Sequence, residues 1–508
     1  MKTDHQPATQ RARVSSALLF FPPITGSSKN IHLALPLLAG VLDSLGITPC
    51  QHDLNVEFTK WIVTGYRTGC LRKLAFPEQE AFETLVSSLA DQDFASLDLT
   101  PFHRRLSPLI KEFFKHYFVA SADFPKALFI GITIPMATQL VPAVRLAQTL
   151  RHVFGKRVPI FLGGPMTSLY LGNVLNDLLL KNAIDGVVKG DGEQATAIIA
   201  RQLLDGHLRK PEIPNLVYCE ENEIVQSAVT ARTNLNVLPT PIFDKSQIEM
   251  IAPTSLPVLA GRRCYWGKCA YCDYQNLYAA FIPRNVISVV DDIERLMARH
   301  GIRKFSLACD TIYPKLAEQL SREILRRRLD IRWSSCVRVD AGYTPEILEL
   351  MKESGVQHML VGLESLDDDV LRKIRKGYDS RQAVSFLNLF LSYEVQMIAA
   401  MIIDLPGTTY ESAKNQLRRL AEIASSSNRK FLSAVCHEFS LTRTSEIGRY
   451  PERYGLRVSA RPNLRIARAT GFRPNVVPWA DPHGMTRSEK AHVRSLYRSS
   501  FGRSGFTE

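Results

Sequence analysis

The chain has 508 residues, 45% of them hydrophobic and 22% charged, which suits a large globular protein of about three domains and excludes a disordered chain. Its 63 basic and 50 acidic residues leave a formal charge of +13, which raises the question of an anionic partner; its nine cysteines lack a regular framework and fit free thiols in a reducing compartment. No stretch approaches the ~18 apolar residues a spanning helix needs, and the apolar run 17–21 behind Arg11 and Arg13 is too short for a secretory signal and is stopped by Pro22-Pro23, so a cytoplasmic protein without membrane contact is expected.

Up to about residue 232, apolar runs at 17–21, 127–133, 158–162 and 186–188 alternate with helical patterns at 135–154 and 194–205. Such alternation predicts an α/β domain built on a doubly wound parallel sheet. Residues 56–117 have helical spacing and no strand signal, and read as an inserted helical subdomain. Turn residues mark the carboxyl ends of the strands at 21–26, 131–133, 162–167 and 189–193, the edge where open α/β sheets bind ligands. Gly163 and Gly164 let a bulky ligand approach the backbone, and Gly190 and Gly192 shape a turn before a helix N-terminus; equally, these glycines do no more than make tight turns.

Residues 233–257, with Pro239, Pro241, Pro253 and Pro257 and no periodicity, read as a linker. From 258 to 439 a strand-then-helix unit repeats six times, with strands expected at 257–261, 304–309, 331–337, 358–362, 396–403 and 431–436. Six such units predict a parallel (βα)6 partial barrel with catalytic groups at the carboxyl ends of its strands. Residues 440–508 form a small basic C-terminal extension. From Pro451 onward it has eleven Lys or Arg against four acids, and it reads as a solvated, partly disordered tail in preference to an anion-binding surface.

Directly after the first barrel strand comes Gly261-Arg-Arg-Cys-Tyr-Trp-Gly-Lys-Cys-Ala-Tyr-Cys-Asp273. An iron–sulfur cube wants four ligands, so three thiolates from one loop leave one iron open to a small molecule. Structural zinc is closed by four ligands, usually as two pairs, and no second CxxC or HxxxH pair accompanies Cys264, Cys269 and Cys272. The other six cysteines read as small buried residues.

The cysteine loop, Val361-Gly-Leu-Glu-Ser365 and Ile403-Asp-Leu-Pro-Gly407 resemble the radical S-adenosylmethionine (SAM) superfamily. Phe21-Pro-Pro23, Leu162-Gly-Gly-Pro165 and Lys189-Gly-Asp-Gly-Glu193 resemble the cobalamin-binding domain fused to one branch of it. The likeness covers roughly residues 15–450. It departs from the usual pattern in its C-x4-C-x2-C spacing, where C-x3-C-x2-C is the rule, and in lacking an Asp-x-His-x-x-Gly motif, so it implies a cobalamin held without a protein histidine.

The resemblance implies a [4Fe-4S] cluster on Cys264, Cys269 and Cys272, with SAM on its open iron and cleaved to a 5′-deoxyadenosyl radical. Tyr271, Asp310, Arg338 and Glu364 would contact SAM, although Asp310 and Arg338 equally suit a salt bridge with each other. Thr25, Thr133, Gly163, Gly164, Gly190 and Glu193 would contact cobalamin. The expected reaction is methylation of an unactivated carbon in a small molecule or peptide, with electrons from a flavodoxin or ferredoxin and no nucleic-acid partner. Oxidation or rearrangement without methyl transfer, and non-enzymatic metal or nucleic-acid binding, are the alternatives.

Overall fold

Side-chain alternation in the first strand decides how the first sheet is covered. In β1 (Ser16–Phe21) the side chains of Ala17, Leu19 and Phe21 enter one core with Leu35, Leu42 and Ile199, while Leu18 and Phe20 enter another with Ile62, Phe113 and Leu146. Both faces are therefore buried, the condition that suits a parallel sheet sandwiched between helices. Helices Ala34–Asp43 and Glu193–Leu204 cover one face, and Leu54–Arg67, Leu109–Ala120 and Leu140–Phe154 the other. The computed structural model describes residues 15–71, 106, 109–120, 124, 126–170, 174–278, 280–426, 431–458 and 475–501.

The other strands of this sheet are β2 (Thr48–Asp53), β3 (Ala127–Thr133), β4 (Ile160–Gly163), β5 (Gly186–Val188), β6 (Leu216–Glu220) and β7 (Glu223–Gln226). Their order is β2-β1-β3-β4-β5-β6-β7, parallel through β5. This is the doubly wound order with its switch point beside β1. The expected parallel sheet is present, with an antiparallel hairpin, β6 and β7, added at its edge. Of the expected insertion at 56–117, helices Leu54–Arg67 and Leu109–Ala120 flank a stretch whose residues 72–105 lie outside the described ones.

Residues 233–257, read as a linker, contain the helix Lys245–Ile251, which starts where Asp244 accepts from the Gln247 N–H. The second sheet comprises β8 (Leu256–Leu259), β11 (Lys304–Ala308), β12 (Arg332–Val337), β13 (Val356–Glu364), β14 (Gln396–Ile402) and β15 (Leu432–His437). All are parallel and in sequential order. A two-residue ribbon of β9 (Gly261–Arg262) and β10 (Ile282–Pro283) frames the cysteine loop. Helices Val286–His300, Pro314–Arg326, Pro345–Glu353, Ser380–Ser392 and Tyr410–Ser426 lie outside, as expected of a (βα)6 segment.

The C-terminal extension departs from the expectation of a solvated tail. Helix Arg487–Phe501 buries Val493 and Tyr497 in the barrel's core, Lys490 reaches Asp404 at 2.6 Å, and Arg494 pairs with Glu438. Two of its basic residues are thus paired with carboxylates just beyond β14 and β15. Residues 459–474, where four of the counted arginines fall, lie outside the described residues. The six cysteines outside the loop also differ from expectation: Cys70 is exposed, and Cys50, Cys219, Cys309, Cys336 and Cys436 are half-buried. No helix among the described residues is long and apolar enough to cross a membrane.

Candidate functional site

The cysteine loop leaves β9 and is pinned from two sides. The Ala270 N–H donates to the Ile374 carbonyl at 2.9 Å, and the Ala270 carbonyl accepts from the Ile447 N–H at 3.0 Å. Within the loop the Cys272 N–H donates to the Cys269 carbonyl at 3.2 Å. Cys264, Cys269 and Cys272 thereby line one cavity of about 280 Å3 at the carboxyl ends of the barrel strands. Burial pushes the Cys269 thiol up, and that of Cys272 up to about 12. Thiols in such surroundings become thiolates when a bound cation compensates the charge. Thr311 lines the same cavity with a buried hydroxyl that has no hydrogen-bond partner. Three thiols around one cavity and an orphaned hydroxyl beside them fit a cluster with an adjoining polar ligand.

Glu364 ends β13 with φ 63°, where the register against β14 shifts, and this turns its carboxylate into the cavity. It receives hydrogen bonds from the Tyr271 hydroxyl and the Lys376 ammonium, both at 2.9 Å. Lys376 also lies 3.2 Å from the Tyr271 oxygen. Burial works against the lysine charge, but Glu364 and then Tyr271 outweigh it and hold Lys376 well above its ordinary range. The structure thus joins two expected SAM contacts, Tyr271 and Glu364, through a lysine that the sequence reading did not single out.

Asp310 and Arg338, also expected at SAM, do not pair. Arg338 donates to the Lys376 carbonyl at 2.7 Å, approaches Asp340 at 3.8 Å and lies 4.5 Å over the Trp266 ring. Asp310 follows β11, and the surrounding protein raises its carboxyl above the usual range by desolvation. With Arg263 it lines both the thiol cavity and a second one of about 420 Å3.

This second cavity lies between the carboxyl edge of the first sheet and the barrel. Thr133, Gly163, Gly164, Gly190 and Glu193 line it; Thr25 does not, and its N–H is taken by Asn55 Oδ1 at 3.0 Å. Gly164 has φ 98°, and a Cβ there would stand 2.7 Å from the Ile134 nitrogen, so the turn requires glycine. At Gly163 a Cβ would meet only the Val188 carbonyl oxygen, at 4.0 Å. The lining is otherwise largely apolar, with Leu35, Leu38, Phe129 and Phe161, and includes no histidine. Such a cradle fits a large organic ligand. Glu193 is the exception among its expected contacts: its carboxylate is taken up by Arg262 and by the Thr233 hydroxyl.

Residues 258–420 match the sequence model of the radical SAM superfamily. An uncharacterised methyltransferase of Pyrococcus horikoshii is 22% identical over 57% of this chain and 63% of its own length. The anaerobic magnesium-protoporphyrin IX monomethyl ester cyclase of Cereibacter sphaeroides is 22% identical over 70% of this chain and 55% of its own length. The chain thus spans less than two thirds of these curated relatives. Among solved structures, the radical SAM methyltransferase TsrM from Kitasatospora setae, with cobalamin and a [4Fe-4S] cluster bound, superposes with a TM-score of 0.66 at 16% identity, covering 95% of this chain and 90% of that one. OxsB, a cobalamin-dependent SAM radical enzyme with aqua-cobalamin and SAM bound, gives 0.62 at 14% identity, covering 87% and 61%. At these identities the two superpositions establish a shared fold.

Proposed function

We propose, from the premise that this chain carries a radical SAM domain over residues 258–420, that it is a cobalamin-dependent radical SAM enzyme methylating an unactivated carbon of a small molecule or peptide. The observation that carries this reading is the pair of cavities sharing Asp310 and Arg263 as a common wall, one lined by three thiols and the other by the glycine edge of the first sheet. When bound, the cluster with SAM supplies one-electron cleavage of a carbon–sulfur bond, and cobalamin supplies a transferable methyl group.

The residues of the chain would place these groups. Cys264, Cys269 and Cys272 would hold the cluster, and the hydroxyl of Thr311 would offer a hydrogen bond to a ligand on its open face. Glu364, held by hydrogen bonds from Lys376 and Tyr271, suits hydroxyl or ammonium recognition. Asp310, at the boundary of both cavities, suits a substrate or cofactor that spans them. Thr133, Gly163, Gly164 and Gly190 would cradle cobalamin; Glu193 serves the domain seam instead, and Thr25 stands outside. Electrons would come from a flavodoxin or ferredoxin in the cytoplasm.

A second reading, oxidation with ring closure and no methyl transfer, is favoured by the relatives named as cyclases, one of which matches 70% of this chain. Anaerobic reconstitution with iron, sulfide and cobalamin, followed by mass spectrometry of SAM-derived products, separates the two. S-adenosylhomocysteine together with 5′-deoxyadenosine is the expected outcome. The deoxyadenosine alone would turn the assignment to oxidation, and neither product would overturn both.

A further inference from the structure

We infer that Arg338 is a positioning residue that clamps the widened arm of the cysteine loop, residues 265–268, to the barrel and thereby sets where Cys264 and Cys269 stand; this rests on reading the three thiols as cluster ligands. The guanidinium is 8% exposed and has aromatic rings around it: Trp266 at 4.5 Å, Tyr265 at 5.7 Å and Tyr378 at 5.7 Å. Two of the three rings belong to the gap between the first and second cysteines.

Each ring is fixed in turn. The Tyr265 hydroxyl donates to Asp340 at 2.6 Å, and Asp340 lies 3.8 Å from Arg338. Trp266 Nε1 donates to the Arg375 carbonyl at 2.9 Å. The Tyr378 hydroxyl reaches the Gly362 and Leu363 carbonyls at 3.0 Å each, just before Glu364. Gly377 has φ 81°, and a Cβ there would stand 2.2 Å from the Trp266 ring, so the indole is seated against bare backbone. The arrangement explains how a loop one residue longer than the superfamily pattern is held: the additional length is taken up by Tyr265 and Trp266 folded onto a buried cation. Arg338 donates to the Lys376 carbonyl at 2.7 Å, and Lys376 holds Glu364 and Tyr271, so the clamp continues into the carboxylate side of the cavity.

The expected alternative, direct capture of a carboxylate by Arg338, makes different predictions. Lysine keeps the charge but cannot stack as a plane or donate as a fork, and Gly377→Ala displaces Trp266 without touching Arg338. In the metal-free protein, trypsin should cut after exposed Lys268 faster in both Arg338→Lys and Gly377→Ala than in wild type. After anaerobic reconstitution, both variants should lose iron to a chelator about tenfold to a hundredfold faster, while chains that retain iron bind SAM as wild type does. Unchanged cleavage and iron retention would overturn the inference, and weakened SAM binding alone in Arg338→Lys would assign the residue to the carboxylate. A wild-type chain that takes up no iron would overturn the cluster reading itself, an outcome distinct from either.

Discussion

Arg262 Nη1 lies 2.6 Å from Asp191 Oδ1, joining the strand that leads into the cysteine loop to the turn after β5 in the first sheet. The same guanidinium pairs with Glu193, and the Thr233 N–H and hydroxyl close the group. All three charged side chains are at most 10% exposed. The two sheets therefore meet through a buried ion cluster in the wall of the second cavity.

Replacing Arg262 by Gln leaves two carboxylates buried together without their cation. Removing one partner of a buried pair costs about 3–5 kcal/mol. The expected result is a loss of that order in urea unfolding of Arg262→Gln, with partial recovery when Glu193→Gln is added. An unchanged unfolding midpoint would show that the seam is held by other contacts.

Alanine at Cys264, Cys269 or Cys272 should each abolish iron retention after anaerobic reconstitution, because a cube with two protein ligands has two irons open to solvent and chelator. Cys70, exposed and outside the cavity, is the control, and its alanine variant should retain wild-type iron.

Glu364→Gln and Tyr271→Phe should separate in magnitude. The first strips a buried lysine of its counter-charge and should destabilise the metal-free protein by about 3–5 kcal/mol. The second removes one hydrogen bond to a carboxylate that keeps its lysine, a cost of about 1–3 kcal/mol. Chemical unfolding of both variants and of Lys376→Met measures the difference, and equal losses for Glu364→Gln and Tyr271→Phe would contradict the lysine-centred arrangement.

His52 gives a pH signature far from the thiols. It stacks on Phe20 with ring centres 4.7 Å apart and lies 3.0 Å from the Tyr117 hydroxyl; burial pulls its pKa down from 6.5 to about 4. A histidine depressed on folding binds its proton more weakly in the native state. Its contribution is therefore complete above pH 6.5 and disappears as the pH falls towards 4. Denaturation midpoints should decline across that window, and the decline should be shallower in His52→Phe; identical slopes would exclude His52 as the source.

The barrel was legible because its strands are short apolar runs between strongly amphipathic helices. All six lie within two residues of their expected ends, the largest departure being Val356–Glu364, which starts two residues earlier and runs two further through Glu364. β2 was missed because Thr-Pro-Cys-Gln-His-Asp carries almost no apolar pattern: it is an edge strand, paired on one side only. The β6–β7 hairpin did leave a signal, a Glu221-Asn222 turn between two apolar stretches, and both residues have positive φ, 46° and 67°. The thiols could be read from spacing alone. Lys376 could not, since in Lys373-Ile-Arg-Lys376 it looks like one more solvated charge, and only the folded path of the chain turns it inward to Glu364. Nor could the link from Arg262 to Asp191, 71 residues apart, be anticipated from either motif.

Asp273, next to the last cysteine of the loop, is 8% exposed and accepts from Asn475, 202 residues further along, at 2.8 Å and from Thr444 at 3.2 Å. During synthesis this contact can form only after residue 475 has left the ribosome, long after the three cysteines have been made. The loop that bears the thiols therefore gains one of its anchors late, from a segment two hundred residues downstream.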